Sequence, residues 1–173
     1  NKRMTYNNNL TQDLLYGLAT NRDCASKETV SIWMVHALAK VRIILDESLG
    51  DIGQVTVSGY KTGHFSPINN GVPAWEIDNV NTHIYADFRK YEGKVDEELK
   101  NNNSVTVFIL PDKITGLKMW NSVGQEIDAS EEIKKHTFLA GKVYNLTISK
   151  SNGVRKKNTN SRSIAMSVRC VSE

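Results

Sequence analysis

Residues 31–46 carry the most regular alternation of apolar and polar positions in the chain, reading SIWMVHALAKVRIILD. Every second residue over 33–45 is apolar, whereas the intervening positions include His36 and Lys40. Such alternation is typical of a strand with one face on a core and the other partly in water. A helix is the alternative, but helical spacing would place Lys40 in the middle of the apolar stripe. The pattern favours one long strand over 30–46.

The rest of the chain repeats this pattern in shorter segments. Further strand-like runs lie at 52–60, 104–111, 117–122, 142–149 and 163–171. Turn signals rich in Asn and Gly, such as Asn69-Asn70-Gly71 and Asn152-Gly153, occur between them. Two charged stretches, 87–103 and 128–135, lack a wide apolar stripe, so we expect turns or loop decorations there. Many short strands without a βαβ alternation predict an all-β, antiparallel sandwich.

Length and composition fit one main domain. The chain has 173 residues, of which 39% are hydrophobic, and a chain of this size buries roughly 70% of its unfolded surface. We expect residues 1–29 to be a lead-in with one short apolar element and residues 30–173 to form the sandwich domain. No apolar run reaches about 18 residues, and no signal-peptide pattern opens the chain. A start at Asn1 favours processing or trimming.

The two cysteines, Cys24 and Cys170, lie near opposite ends of the chain. A disulfide between them would close a loop of nearly the whole chain, worth roughly 4–5 kcal/mol in the entropy model. Two independent buried thiols are the alternative. Cys170 shares its parity with Ile164, Met166 and Val168, which favours that alternative. The sequence leaves both possibilities open.

Positive charge is concentrated near the C-terminus. The chain has 22 basic and 19 acidic residues, and six of the basic ones fall between Lys150 and Arg169, where no acid occurs. Such a patch could contact nucleic acid or an acidic polysaccharide. The commoner explanation is a solvated hairpin loop. We therefore expect residues 150–162 to form a long, basic, exposed loop and expect no nucleic-acid partner.

No pattern in the chain indicates catalysis. The histidines are widely separated, and none has the spacing of a metal site; they are His36, His64, His83 and His136. Glycine-rich phosphate loops and a GxSxG elbow are missing. We therefore expect no enzyme activity, no metal and no cofactor. His36 is expected to be a structural residue bonded to a neighbouring strand or loop.

Aromatic residues in the middle of the chain offer a second possible function. Phe65, Trp75 and Tyr85 are interleaved with basic residues, and aromatic faces can stack on sugars. Lys156 and Lys157 in the basic loop could add contacts to an acidic polysaccharide. These five residues are the candidate ligand contacts of a surface glycan-binding module. Packing in the core and loops of the sandwich is the competing explanation.

Four stretches, taken in order, resemble the fimbrillin-like proteins of Bacteroidetes, the FimA/Mfa-type pilus subunits and their lipoprotein relatives. The stretches are QDLLYG at 12–17, VSIWMVHALAKVRIIL at 30–45, VFILPD at 107–112 and FLAGKVYNLTI at 138–148. The positions that carry the resemblance are Trp33, His36, Lys40, Pro111, Gly141, Lys142 and Tyr144, and it assigns them to the fold. The chain departs from the family pattern at Asp112, where Gln is common, and at Ala140, where Pro is common. The tail SVRCVSE resembles the end of a FISUMP domain.

The resemblance implies a transthyretin-like, Greek-key β-sandwich in a non-catalytic fimbrial subunit or fimbria-associated adhesin. Family members normally carry an N-terminal region, a signal peptide and a lipid-modified cysteine before the first stretch, so we expect this chain to be a C-terminal portion. Export and attachment to the outer membrane through a lipid anchor missing from this chain are then implied. Lys2-Arg3 would be the remains of a basic processing site or of a trimmed chain.

The expected partners also come from the resemblance. They are other fimbrial subunits, which assemble by adding a strand of one subunit to a neighbour, and host or bacterial surface glycans or proteins. The strand at 163–171 is the candidate for the donated element.

Overall fold

The computed structural model describes residues 3–19, 29–66, 71–150, 153–161 and 163–169. Its strands are β1 (Met4–Asn7), β2 (Leu15–Tyr16), β3 (Thr29–His36), β4 (Ala39–Leu45), β5 (Ile52–Ser66), β6 (Ala74–Arg89), β7 (Ser104–Ile109), β8 (Ile114–Asn121), β9 (Glu126–Asp128), β10 (Lys142–Ser149), β11 (Gly153–Ser161) and β12 (Ser163–Arg169). Two short helices, α1 (Glu97–Asn102) and α2 (Ser130–Ile133), interrupt them. Cys24 and Cys170 lie outside the described residues, so both possibilities for the thiols stay predictions.

Two sheets form a β-sandwich. The first sheet has the order β1-β5-β8-β9, with β6 along the other side of β5. The second has the order β11-β10-β4-β7. Buried residues from both sheets pack in one cluster, including Ile43, Val57, Val107, Leu117 and Leu146. The all-β sandwich predicted from the alternating runs is confirmed, although β4 and β10 pair in parallel within it.

The prediction of one long strand over 30–46 is wrong. The chain breaks between His36 and Ala39: β4 joins the second sheet, while β3 is the centre of a third sheet with the order β12-β3-β2. The predicted apolar face is buried throughout β4, but Trp33 in β3 is 45% exposed. The break is caused by segments distant in sequence, because backbone groups of the two intervening residues bond to those segments and do not continue either ladder.

The basic segment also differs from its prediction. Instead of an irregular loop over 150–162, residues Gly153–Ser161 form strand β11, antiparallel to β10 and at the edge of the second sheet. An edge strand needs little apolar alternation, because one side of it meets no other strand, so a polar sequence concealed it. The terminal strand β12 follows within the predicted range 163–171.

The two charged stretches contain helices of a turn or two. Asp96 caps α1 by accepting a hydrogen bond of 2.8 Å from the backbone N–H of Leu99, and the Leu99 side chain is fully buried. Ile133 anchors α2 in the core in the same way. One buried residue per helix explains why no apolar stripe was visible in the sequence.

Candidate functional site

The two residues between β3 and β4, Ala37 and Leu38, form a junction that we call the sheet switch. The N–H of Ala37 donates to the carbonyl of Leu14 at 2.8 Å, and the Ala37 carbonyl accepts from Nε1 of Trp75 at 2.8 Å. The Leu38 carbonyl accepts from the N–H of Gly141 at 3.0 Å. Both residues are fully buried. Three distant segments therefore hold the chain where it leaves one sheet and enters another.

His36 precedes the switch and is bonded to the first of the four resemblance stretches. Its Nδ1 lies 2.5 Å from Oδ2 of Asp13, and both side chains are largely buried. The carboxylate also acts on Tyr6, whose pKa is raised by burial and by the nearby Asp13. His36 thus has a bonding partner in a neighbouring segment, as a structural role would require. Asp13 was missed as that partner, although it lies in the quoted QDLLYG stretch.

Gly141 and Tyr144 place the fourth stretch against the switch. Gly141 has φ 68°, and a Cβ there would lie 3.0 Å from the Val72 side chain and 3.1 Å from the carbonyl oxygen of His36. Only glycine fits this left-handed, crowded position without strain. The buried Tyr144 hydroxyl accepts the N–H of Leu139 at 2.9 Å.

The third stretch reaches the fourth through its backbone. Asp112 and Phe138 exchange two hydrogen bonds of 2.9 and 2.7 Å, and the Phe138 ring meets Tyr144 edge-on with centroids 5.2 Å apart. Pro111 lies beside this contact, lining a cleft of about 430 Å³ with Trp75. The first and fourth stretches thus bond to the sheet switch, which lies in the second, and the third stretch is joined to the fourth.

The remaining motif positions lie on the strands that leave this junction. Lys40, in β4, is opposite Phe108 of β7 and Val143 of β10, and Lys142 begins β10. Trp33 lies on β3 opposite Ala165 of β12. These positions are not brought into one cluster with His36, and their assignment as fold residues stays a prediction.

The predicted ligand contacts are only partly brought together. Phe65 is buried, and its ring contacts Trp75 at 4.7 Å and Tyr16 at 5.7 Å between centroids. Tyr85 is 69% exposed and lies further along the β5–β6 hairpin, opposite Ser58. Lys156 and Lys157 lie on β11, where only the backbone is described. The proximity of Phe65 and Trp75 serves packing against the sheet switch, and a role of the five residues in ligand contact stays a prediction.

Strand β12 carries the geometry most relevant to assembly. It pairs with β3 over seven antiparallel positions, from Ser163 opposite Val35 to Arg169 opposite Thr29. In the described part of the third sheet it occupies an edge. Its other side therefore has no paired strand within that sheet.

The described residues contain neither a metal-binding cluster nor a membrane-spanning helix. Within the ranges the structure describes, no three His, Cys, Asp or Glu side chains lie close enough together to hold a metal ion. None of the described helices is long and apolar enough to cross a membrane.

The sequence matches no protein-family model and no curated protein. The solved structures similar to the chain include the three described next. A proposed cell adhesion protein from Bacteroides uniformis has 16% identity and a TM-score of 0.47 over 98% of this chain and 66% of its own. A proposed cell adhesion protein from Bacteroides ovatus has 11% identity and a TM-score of 0.40 over 81% of this chain and 48% of its own.

The third similar structure is the tip fimbrial protein Mfa3 from Porphyromonas gingivalis with a C-terminal truncation. It has 8% identity and a TM-score of 0.45, over 73% of this chain and 51% of its own. The chain thus spans between 48% and 66% of the lengths of these structures. With TM-scores below 0.5, the similarities carry no functional argument.

Proposed function

We propose that this chain is part of a cell-surface fimbrial subunit or fimbria-associated adhesin that assembles with other subunits by β-strand addition and has no catalytic role. Two findings support the proposal. The four stretches that resemble fimbrillin-like proteins are joined to one another, three of them at the sheet switch. The strand β12, whose sequence is mostly uncharged, also lies at a sheet edge among the described residues. Export and attachment to the outer membrane through a lipid anchor outside this chain belong to the same proposal.

The observation that carries the assembly mechanism is the β12–β3 ladder. An edge strand held by one neighbour can leave its own sheet and pair with the same edge in another copy, since the backbone hydrogen bonds are identical in both cases. The seven paired positions form a long ladder for so small a sheet. Alternate side chains of the strand would then set specificity.

Two other edges, those of β7 and β11, are less suited to exchange. At β7, the N–H of Phe108 donates to the Leu10 carbonyl at 2.8 Å and the Phe108 carbonyl accepts from the Asn8 side chain at 3.1 Å, so the preceding segment covers that edge. The edge strand β11 contains Arg155, Lys156 and Lys157, and basic residues on an edge oppose edge-to-edge pairing. The sequence of β12, SIAMSVR, has one charged residue. These contrasts favour β12 as the exchanged strand.

The test is a proline scan of β12 combined with measurement of assembly. Successive residues of a strand direct their N–H groups to opposite edges. Of the two variants Met166→Pro and Ser167→Pro, one therefore removes a backbone hydrogen bond to β3, and we call it the ladder-breaking variant. The other removes an N–H on the side of β12 that has no paired strand in its sheet. Sedimentation velocity of the intact chain over a wide concentration range should show oligomers. The ladder-breaking variant should lose them, and the other should retain them.

A labelled peptide of residues 163–169 provides the second readout. By fluorescence anisotropy it should bind the ladder-breaking variant more tightly than the parent chain, because the variant's own β12 competes less well for β3. A scrambled peptide is the control. A chain that stays monomeric at every concentration, with no peptide binding to either variant, would remove the proposal.

A further inference from the structure

A pocket of about 530 Å³ lies on the face of the first sheet that points away from the core, outside the sheet switch and β12. Three neighbouring strands supply its floor: Ser58 and Tyr60 from β5, His83 from β6 and Thr115 from β8. Two lysines complete the lining, Lys113 just before β8 and Lys134 just after α2. The volume falls within the range of roughly 300–1,000 Å³ that is usual for small-molecule sites.

The floor contains an aromatic platform. Tyr60 and His83 are directly opposite in the β5–β6 hairpin, and their ring centroids are 5.8 Å apart with planes inclined by 30°. Burial and the nearby Asp112 carboxylate raise the pKa of Tyr60. At neutral pH the phenol is therefore a protonated donor beside a flat surface of the kind on which a sugar ring packs.

The walls are cationic. Lys134 is held in place because α2 is tied to β8, where the Leu117 N–H donates to the Ser130 hydroxyl at 3.1 Å. Its ammonium pairs with Glu131 at 2.8 Å, but that carboxylate belongs to a side chain that is 85% exposed, and surface pairs of this kind contribute little free energy. None of the described lining residues is acidic, although the Asp112 carboxylate is near enough to Tyr60 to raise its pKa. Lysines from two separate elements thus line one cavity.

We propose that the pocket binds an anionic sugar residue, bearing a carboxylate or a sulfate. The ring packs on Tyr60 and His83, and the acidic group lies between Lys113 and Lys134. An extended acidic peptide fits less well, because β5 is already paired on both sides in this region and offers no free edge. The site is separate from β12, so it goes beyond the proposed assembly and can fail without affecting it.

The test measures binding of defined sugars to the intact chain by titration calorimetry. The probes are sialyllactose for the carboxylate, a heparin-derived sulfated disaccharide for the sulfate, and lactose as the neutral comparison. We expect at least one anionic probe to bind, with lactose showing no binding, and the probe that binds identifies the acidic group. Binding of neither anionic probe, or equal binding of lactose, would overturn the proposal.

Variants locate the binding in this pocket. Lys113→Ala should weaken binding by about tenfold, because a charge-assisted hydrogen bond is lost. His83→Ala, at an exposed position of the aromatic platform, should weaken it by a smaller factor. Lys135→Ala is the matched control, since Lys135 follows Lys134, pairs with Glu132 in the same i,i+3 manner and lies outside the lining. Circular dichroism checks that each variant is folded.

Two outcomes of the variant series contradict the proposal. One is unchanged affinity in both Lys113→Ala and His83→Ala. The other is binding of a polyglutamate peptide, with the sugars inert, that Lys113→Ala abolishes.

Discussion

Strands β3 and β4 follow one another in the chain and share one alternating pattern, yet their surroundings differ. Apolar positions of β4 are enclosed by β7 and β10 at its edges and by the first sheet across the core. β3 is flanked by the two-residue β2 and the terminal β12, and its Trp33 is left partly in solvent. Alternation therefore predicts that a segment is a strand. The partners of that strand decide how much of the pattern is buried.

This difference also separates two roles. The sheet containing β4 is part of a packed sandwich, whereas the sheet containing β3 is small and has the strand that we propose to be exchanged. A strand can be exchanged at modest cost only where few side chains are locked into the main core. The predictions below test whether stability and assembly divide at the sheet switch.

The largest loss of stability is expected in β4, the strand that is packed in the main core. Ile43→Ala removes part of a fully buried side chain in β4 and should lower the free energy of unfolding by about 2–5 kcal/mol. Ile32→Ala in β3 makes the same chemical change at a half-buried position and should cost about 1 kcal/mol. Urea unfolding measures both, and equal losses would show that the two strands are buried alike.

The next effect concerns the switch that divides the strands. Gly141→Ala introduces a Cβ at φ 68° and within 3.0–3.1 Å of Val72 and His36. We expect a loss above the roughly 1–2 kcal/mol that a left-handed backbone alone imposes on alanine. Thermal unfolding by calorimetry provides the measurement.

Gly93→Ala is the matched control for that change. Gly93 has φ 72° with no atom within 4 Å of the added Cβ, so it isolates the backbone contribution. The excess loss at Gly141 measures the crowding at the switch. If both variants lose the same stability, close packing there contributes nothing.

A smaller effect is expected from the pair that fastens the lead-in segment to β3. A double-mutant cycle of Asp13→Ala and His36→Ala should give a coupling free energy of about 1 kcal/mol, since the contact is short and largely buried. Thr5 and His64 form the comparison pair, with Thr5 Oγ1 and His64 Nδ1 3.0 Å apart at the surface. Their coupling should be below about 0.5 kcal/mol. Urea unfolding supplies all the values, and a larger coupling for Thr5–His64 would contradict the structural role assigned to His36.

Much of the sandwich was predictable from local pattern. The run at 142–149 coincides with β10, and the apolar positions 39–45 are buried as the alternation predicts. The break at Ala37 and Leu38 was not predictable, because its causes are Leu14, Trp75 and Gly141, far away in the chain. Strand β11 was missed because the edge of a sheet tolerates the polar residues that also make a loop.

The candidate sites divide in the same way. Sequence alone marked His36 but gave no means of finding Asp13, since contact between them depends on how the lead-in segment packs. The pocket of Tyr60, His83, Lys113 and Lys134 has no spacing that a motif could capture. Its aromatic pair depends on the register of a hairpin with an irregularity between Tyr60 and Thr62, and its lysines come from outside that hairpin.

An equally small effect is expected where β3 departs most from the predicted pattern. Trp33→Ser replaces the largest apolar residue of the predicted core face, and a buried Trp in a core would cost about 3–5 kcal/mol on truncation. With Trp33 45% exposed, we expect a loss of about 1 kcal/mol, as at the half-buried Ile32 and well below the core range. Because Trp33 lies opposite Ala165 of β12, the same variant should alter β12-dependent assembly more than folding. Urea unfolding measures the effect on folding, and sedimentation velocity measures the effect on assembly. A loss of about 3–5 kcal/mol in the free energy of unfolding would mean that Trp33 is buried like a core residue, as one continuous strand would require.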